Sequence, residues 1–145
     1  MLGGAADSGS PFALVRNIFT AEEADSLSLG LMPLDHPLIA RVVSCMPGGI
    51  VDQSYARVEN KADGHDWHYD TGDGDHMLWC RWSASVLLSP PEDFDGGDFE
   101  IAEPRQSFKH YLDALIFPSS VLHRVTPHTG IRRVLLIFLG AENGI

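Results

Sequence analysis

The sequence predicts a mainly β fold, a jelly roll preceded by one short helix, and three observations predict it. Past residue 50 the chain breaks into short runs rich in β-branched, aromatic and aliphatic side chains, at 53–59, 78–88, 98–102, 114–117, 121–125 and 132–139. Turn clusters separate them: Asp70-Thr-Gly-Asp-Gly-Asp75, Ser89-Pro-Pro-Glu92, Asp95-Gly-Gly-Asp98, Phe117-Pro-Ser-Ser120 and Thr126-Pro-His-Thr-Gly130. Only one stretch carries a helix-start signature. Short strands at regular spacing with Gly and Pro punctuation are the pattern of a sandwich or barrel, with the jelly roll the natural candidate.

Taken in chain order, residues 1–11 are small and polar and read as a loose tail, leaving one domain over 12–145. Thr20-Ala-Glu-Glu23 has the form of a capping box, a hydroxyl answered three residues later by a carboxylate. Ala24, Leu27 and Leu31 follow at helical spacing, so a helix is expected over 21–31, stopped by Pro33 and Pro37. The stretch 37–45 has room for a turn or two. The strands follow, without internal repeats.

Composition narrows the function classes. Of 145 residues, 44% are hydrophobic and mean hydropathy is −0.03, which fits a globular chain. No apolar run reaches the roughly 20 residues of a spanning helix. No basic-then-apolar leader opens the sequence, so a cytoplasmic protein without a membrane partner is expected. Ten basic against twenty acidic residues give a net charge of −10, which argues against a nucleic-acid partner, because that affinity comes from Lys and Arg displacing counterions. Cys45 and Cys80, far apart and without CxxC spacing, read as buried reduced thiols.

His68-Tyr69-Asp70 is the first feature with chemistry in it. In extended chain, residues two apart point to the same side, so imidazole and carboxylate can converge. In this Asp-rich chain one such pair is weak by itself. His123 lies downstream in the apolar strand Ser120-Val-Leu-His-Arg-Val125; unaided, it reads as an ordinary core or surface histidine. After it come the turn 126–130 and Arg132-Arg133. In a hairpin register pairing 123 with 132, the two side chains emerge on one face about 5 Å apart. Two imidazoles and a carboxylate on one face of an octahedral iron leave three positions open. A 2-oxo acid can chelate two, dioxygen can take the third, and an Arg can clamp the far carboxylate.

At these residues the chain resembles the iron(II)/2-oxoglutarate-dependent dioxygenases, and within them the prolyl 4-hydroxylase-like group. The resemblance covers 55–139. It is carried by His65-Asp-Trp-His-Tyr-Asp70, by Trp82-Ser-Ala-Ser-Val-Leu-Leu-Ser-Pro-Pro-Glu-Asp-Phe-Asp-Gly-Gly-Asp-Phe-Glu-Ile101, by Asp113-Ala-Leu-Ile-Phe-Pro118 and by His123-Arg-Val-Thr-Pro127 with Gly130-Ile-Arg132. It implies a double-stranded β-helix, Fe(II) held by His68, Asp70 and His123, 2-oxoglutarate as co-substrate clamped by Arg132, and dioxygen. It further implies hydroxylation of a C–H bond, with a prolyl residue of a peptide or a small proline-like molecule as substrate. Asp70 matters beyond affinity, since halogenating relatives lack this carboxylate. The alternatives are a metal- and oxo-acid-binding sensor or structural module, and a nucleic-acid-repair oxygenase, the latter disfavoured by charge.

Arg132 and Arg133 point to opposite faces of a final strand apolar on both, so alternation cannot choose between them; the Gly-x-Arg match favours Arg132, leaving Arg133 a surface charge. Relatives often carry a co-substrate-bonding Tyr upstream of the first ligand, where this chain has Val58, with Tyr55 at another phase. His65, His76, His110 and His128 read as loop or rim histidines. Asp70 to Asp75 hints at a calcium loop, but Asp75 and Arg81 occupy the sixth and twelfth positions that require Gly and Glu. Trp67, Trp79 and Trp82 read as core packing, with a substrate wall as the alternative, and 92–95 as a solvated acidic turn.

Overall fold

A computed structural model describes residues 13–71 and 77–141, so the expected tail and His76 lie outside the described residues. After β1 (Ala13–Val15), Thr20 caps α1 (Ala21–Asp25): its Oγ1 accepts from the Glu23 N–H at 3.1 Å, and Glu23 Oε1 accepts from the Thr20 N–H at 3.0 Å. The expected helix to residue 31 is corrected. The Ser26 hydroxyl donates to Glu23 O and an Arg133 guanidinium nitrogen donates to Ala24 O and Leu27 O. With its terminal carbonyls taken, the helix stops. The chain then forms β2 (Gly30–Met32), beginning at a positive-φ Gly30, and Leu31 is 77% exposed.

A second helix, α2 (Pro37–Val43), also departs from the single one expected. Pro37 stands in its first turn, where no N–H is needed, and His36 Nδ1 accepts from the Leu38 N–H. Proline here starts a helix; the sequence reading had it stopping one. Arg41 and Glu23 clasp the two helices through paired hydrogen bonds of 2.8 and 2.9 Å.

The remaining elements are β3 (Tyr55–Glu59), β4 (His65–His68), β5 (Trp82–Leu87), β6 (Phe94–Gly96), β7 (Phe99–Ile101), β8 (Gln106–Phe108), β9 (Ala114–Pro118), β10 (His123–Val125), β11 (His128–Gly130) and β12 (Val134–Leu139). Six form one antiparallel sheet in the order β1-β9-β5-β12-β3-β2; four form a second, β4-β10-β7-β8; β11 and β6 form a ribbon. This is the jelly roll the strand grammar predicts. The expected turn at 126–130 is corrected, because 128–130 is β11, paired with β6 (His128↔Gly96). A Cβ at Gly96 would stand 2.3 Å from Pro127 O, so only glycine lets these backbones meet.

The six-stranded sheet is covered on both faces. Leu135, Ile137 and Leu139 of β12 and Ala84 and Val86 of β5 pack with Leu27, Ile39 and Val42 from the helical side. The alternate residues Val134, Leu136, Phe138, Ser83 and Ser85 face a cavity shared with the smaller sheet. Cys80 is buried and Cys45 only partly covered; both are free thiols. No helix among the described residues is long and apolar enough to cross a membrane.

Candidate metal centre

β10 pairs with β4 so that His123 and His68 are direct cross-strand partners, and their rings sit 4.3 Å apart. Asp70 follows β4 by two residues, its N–H held by Ser119 O at 2.9 Å. Its Oδ1 lies 3.3 Å from Nε2 of His68 and 3.3 Å from Nε2 of His123. One donor atom from each of the three lies within 4.8 Å of the others. Cis donors about 2.1 Å from an octahedral ion are about 3 Å apart, so the set fits a single metal.

Each imidazole is oriented by its other nitrogen. Nδ1 of His68 donates to Asp66 O at 2.6 Å, and Nδ1 of His123 to Val121 O at 2.9 Å. With Nδ1 committed as donor, Nε2 faces the carboxylate and is free to ligate once deprotonated. His123 is 4% exposed, stacked on Phe99 at 5.3 Å and met edge-on by Phe117. Burial pushes the Asp70 carboxyl up, but hydrogen bonds from His123, His68 and Ser83 outweigh it and hold it well below the usual carboxylate range. The hydrogen bond to Asp70 raises His68, against the opposing effect of burial.

The centre opens into a cavity of about 160 Å³ whose lining includes Tyr55, Arg57, Glu59, Tyr69 and Arg132. Arg132 arrives by another route than the expected hairpin: β10 pairs with β4 and β7, whereas β12 pairs with β3 and β5. The strand β11 intervenes, because its ladder with β6 occupies the expected turn. Arg132 is 4% exposed; its Nε donates to Gly97 O at 2.9 Å and its N–H to Asn60 Oδ1 at 3.2 Å. Gly97 has φ +65°, and a Cβ there would stand 2.6 Å from Arg132 Cδ. Burial lowers the Arg132 pKa to about 10, although Glu59 and Asp98 favour its charge, so it stays cationic at neutral pH. Arg133 lies on the helical side, tying down α1, rather than serving as a surface charge.

No family model matches the chain. A PKHD-type hydroxylase of Hyphomonas neptunium is 37% identical over 83 residues, which are 53% of this chain and 37% of that protein. The PKHD-type hydroxylase NE2125 of Nitrosomonas europaea is 27% identical over 151 residues, 95% of this chain and 66% of that one. The chain thus spans between about a third and two thirds of these relatives' lengths. Among solved structures, viral collagen prolyl hydroxylase from Paramecium Bursaria Chlorella virus-1, in its 2OG complex, superposes with a TM-score of 0.69 at 15% identity, over 92% of this chain and 97% of that one. An oxidoreductase of the 2OG-Fe(II) oxygenase family from Burkholderia pseudomallei gives 0.64 at 15% identity, over 96% and 90%. The fold is that of the 2OG-Fe(II) oxygenases.

Within this oxygenase fold, the cavity-facing residues of β3 are Tyr55, Arg57 and Glu59, while Val58 is buried on the helical face. Tyr55 does lie at another phase than Val58, and it is Tyr55 that shares the cavity. Glu59 accepts from His65 Nε2 at 2.8 Å and pairs with Arg57 at 3.1 Å, a charged wall that sequence reasoning passed over. Its signal was the alternation Tyr-Ala-Arg-Val-Glu. His65 belongs to β4 and the cavity, and His110 and His128 are buried, so none is a loose rim residue. No tryptophan lines the cavity among the described residues; Trp67 stacks with Arg105 and Arg124, and Trp82 packs against the core.

Proposed function

We propose that the chain is an Fe(II)- and 2-oxoglutarate-dependent hydroxylase in which His68, Asp70 and His123 hold the iron and Arg132 clamps the distal carboxylate of the oxo acid. The observation that carries this is the convergence of three donor atoms at a cavity whose lining includes a buried guanidinium. Bound iron and oxo acid would supply oxidation of a C–H bond by dioxygen, with the oxo acid converted to succinate and carbon dioxide. The chain's own residues bind and orient. Arg132 offers terminal nitrogens that hold no hydrogen bond among the described residues, in a fork suited to a carboxylate. Phe99 and Phe117 keep the His123 face of the centre dry.

For the substrate we propose a prolyl residue in a peptide or a small proline-like molecule. Support comes from the collagen prolyl hydroxylase among the structural neighbours and from Tyr69, 45% exposed beside the first imidazole. The test is succinate release from 2-oxoglutarate with Fe(II) under air. Turnover is expected in the native chain and is lost in His68→Ala and Asp70→Ala. Tight binding of Fe(II) and oxo acid with no succinate under any candidate substrate would instead identify a non-catalytic binding module.

A further inference from the structure

Behind Asp70 lies a row of polar side chains that ligation does not explain. While Asp70 Oδ1 faces both imidazoles, the other oxygen, Oδ2, accepts from Ser83 Oγ at 2.7 Å. Ser83 Oγ lies 3.0 Å from Ser119 Oγ, which lies 2.9 Å from Cys80 Sγ. All three residues are fully buried. Buried hydroxyls are retained at a cost unless bonded, so this row invites a reason.

Proton counting fixes its direction. A carboxylate oxygen only accepts, so Ser83 donates to Oδ2 and can only accept from Ser119. Ser119 has then spent its own proton, and the Cys80 thiol can donate to it at 2.9 Å, in competition with Trp82 O at 3.8 Å. Both hydroxyl protons point toward Asp70. The row is also rigidly mounted: Ser83 lies on β5, paired with Phe117 of β9, and the Ser119 N–H donates to Arg81 O at 2.9 Å.

Carboxylates ligate metals through one oxygen or two. Two imidazoles and a two-oxygen Asp fill four of six octahedral positions, enough room for an oxo acid but not for dioxygen as well. We infer that Ser83, backed by Ser119 and Cys80, is a positioning residue that holds Asp70 to one-oxygen ligation and so keeps the dioxygen position open. This rests on the metal-centre reading proposed above and names the group that shapes it.

The experiment is an anaerobic titration of the full chain with Fe(II), then 2-oxoglutarate, then nitric oxide as a stand-in for dioxygen. It follows the visible charge-transfer band and the electron paramagnetic resonance signal of the iron–nitrosyl. In Ser83→Ala, affinity for nitric oxide on the Fe(II)- and 2-oxoglutarate-loaded protein is expected to fall about 10- to 100-fold, the range for losing a partner that orients a ligand, with a shifted band. Ser83→Thr, which keeps the hydroxyl, restores the native values. Ser119→Ala, one link further from the metal, moves them the same way by less, and it decides the matter should Ser83→Ala not fold. Ser83→Ala, or Ser119→Ala in its place, binding nitric oxide beside the oxo acid as the native chain does would overturn the inference while leaving the metal centre standing. A native chain that takes up no Fe(II) would overturn both.

Discussion

Arg132 and Arg133 are chemically identical neighbours with separate work, and the difference is set by which face of the six-stranded sheet each reaches. In the proposed clamp role, Arg132→Gln would remove charged hydrogen bonds to the oxo acid, each worth about 1.5–3 kcal/mol, so the KM for 2-oxoglutarate should rise about 10- to 100-fold. Arg133→Gln frees carbonyls at the end of α1 and should lower stability by about 1 kcal/mol without moving that KM. If the two variants exchanged these phenotypes, the clamp would be Arg133. His110 makes a second prediction at this scale. Burial, aided by the Arg132 charge, pushes its pKa down to about 4, from 6.5. Between those values the unfolded chain binds a proton that the folded one does not, so stability falls as pH drops, by about 1.4 kcal/mol per unit from this group. Denaturant melts across that window should show His110→Gln losing this share of the slope; equal slopes in both proteins would place the proton elsewhere.

At the scale of elements, α1 and β2 show what the sequence could and could not tell. The capping box at Thr20 and Glu23 is local chemistry and reads directly. The end of the helix is not, because the Arg133 guanidinium that takes its last carbonyls is more than a hundred residues away. Leu27 and Leu31 share helical spacing, yet one is buried in the core and the other stands on edge strand β2. Leu27→Ala should therefore cost about 2–5 kcal/mol, while Leu31→Ser stays within about 0.5 kcal/mol. Comparable losses from both in a chemical-denaturation series would restore the longer helix. The same limit explains the other strands left unread: 13–15, 65–68, 94–96, 106–108 and 128–130 are three or four residues long, three of them carry His, Asp or Gly, and all are specified by backbone pairing with partners elsewhere in the chain.

At the scale of the molecule, β12 is apolar throughout because both its faces are covered, by helices on one side and by the cavity on the other. That double burial is why alternation could not choose between the two arginines. His68 and Asp70 were legible as a pair because an extended chain sets their separation. The approach of His123 was legible only through the order of motifs, since its partnership with His68 is a contact across a sheet over more than fifty residues. Arg132 lines the same cavity although the hairpin invoked for it does not exist, so the geometric reason given for it is corrected. Ser83 and Ser119 left no signal beyond polar residues inside apolar runs.

The central claim is that one iron ion is bound by three side chains brought together from two strands and the turn after β4. Anomalous diffraction at the iron edge, on crystals grown anaerobically with Fe(II) and an unreactive oxo-acid analogue, tests it most directly. The account predicts one strong peak about 2.1 Å from Nε2 of His68, Nε2 of His123 and a single oxygen of Asp70. A peak elsewhere, or one that leaves any of the three uncoordinated, would contradict it.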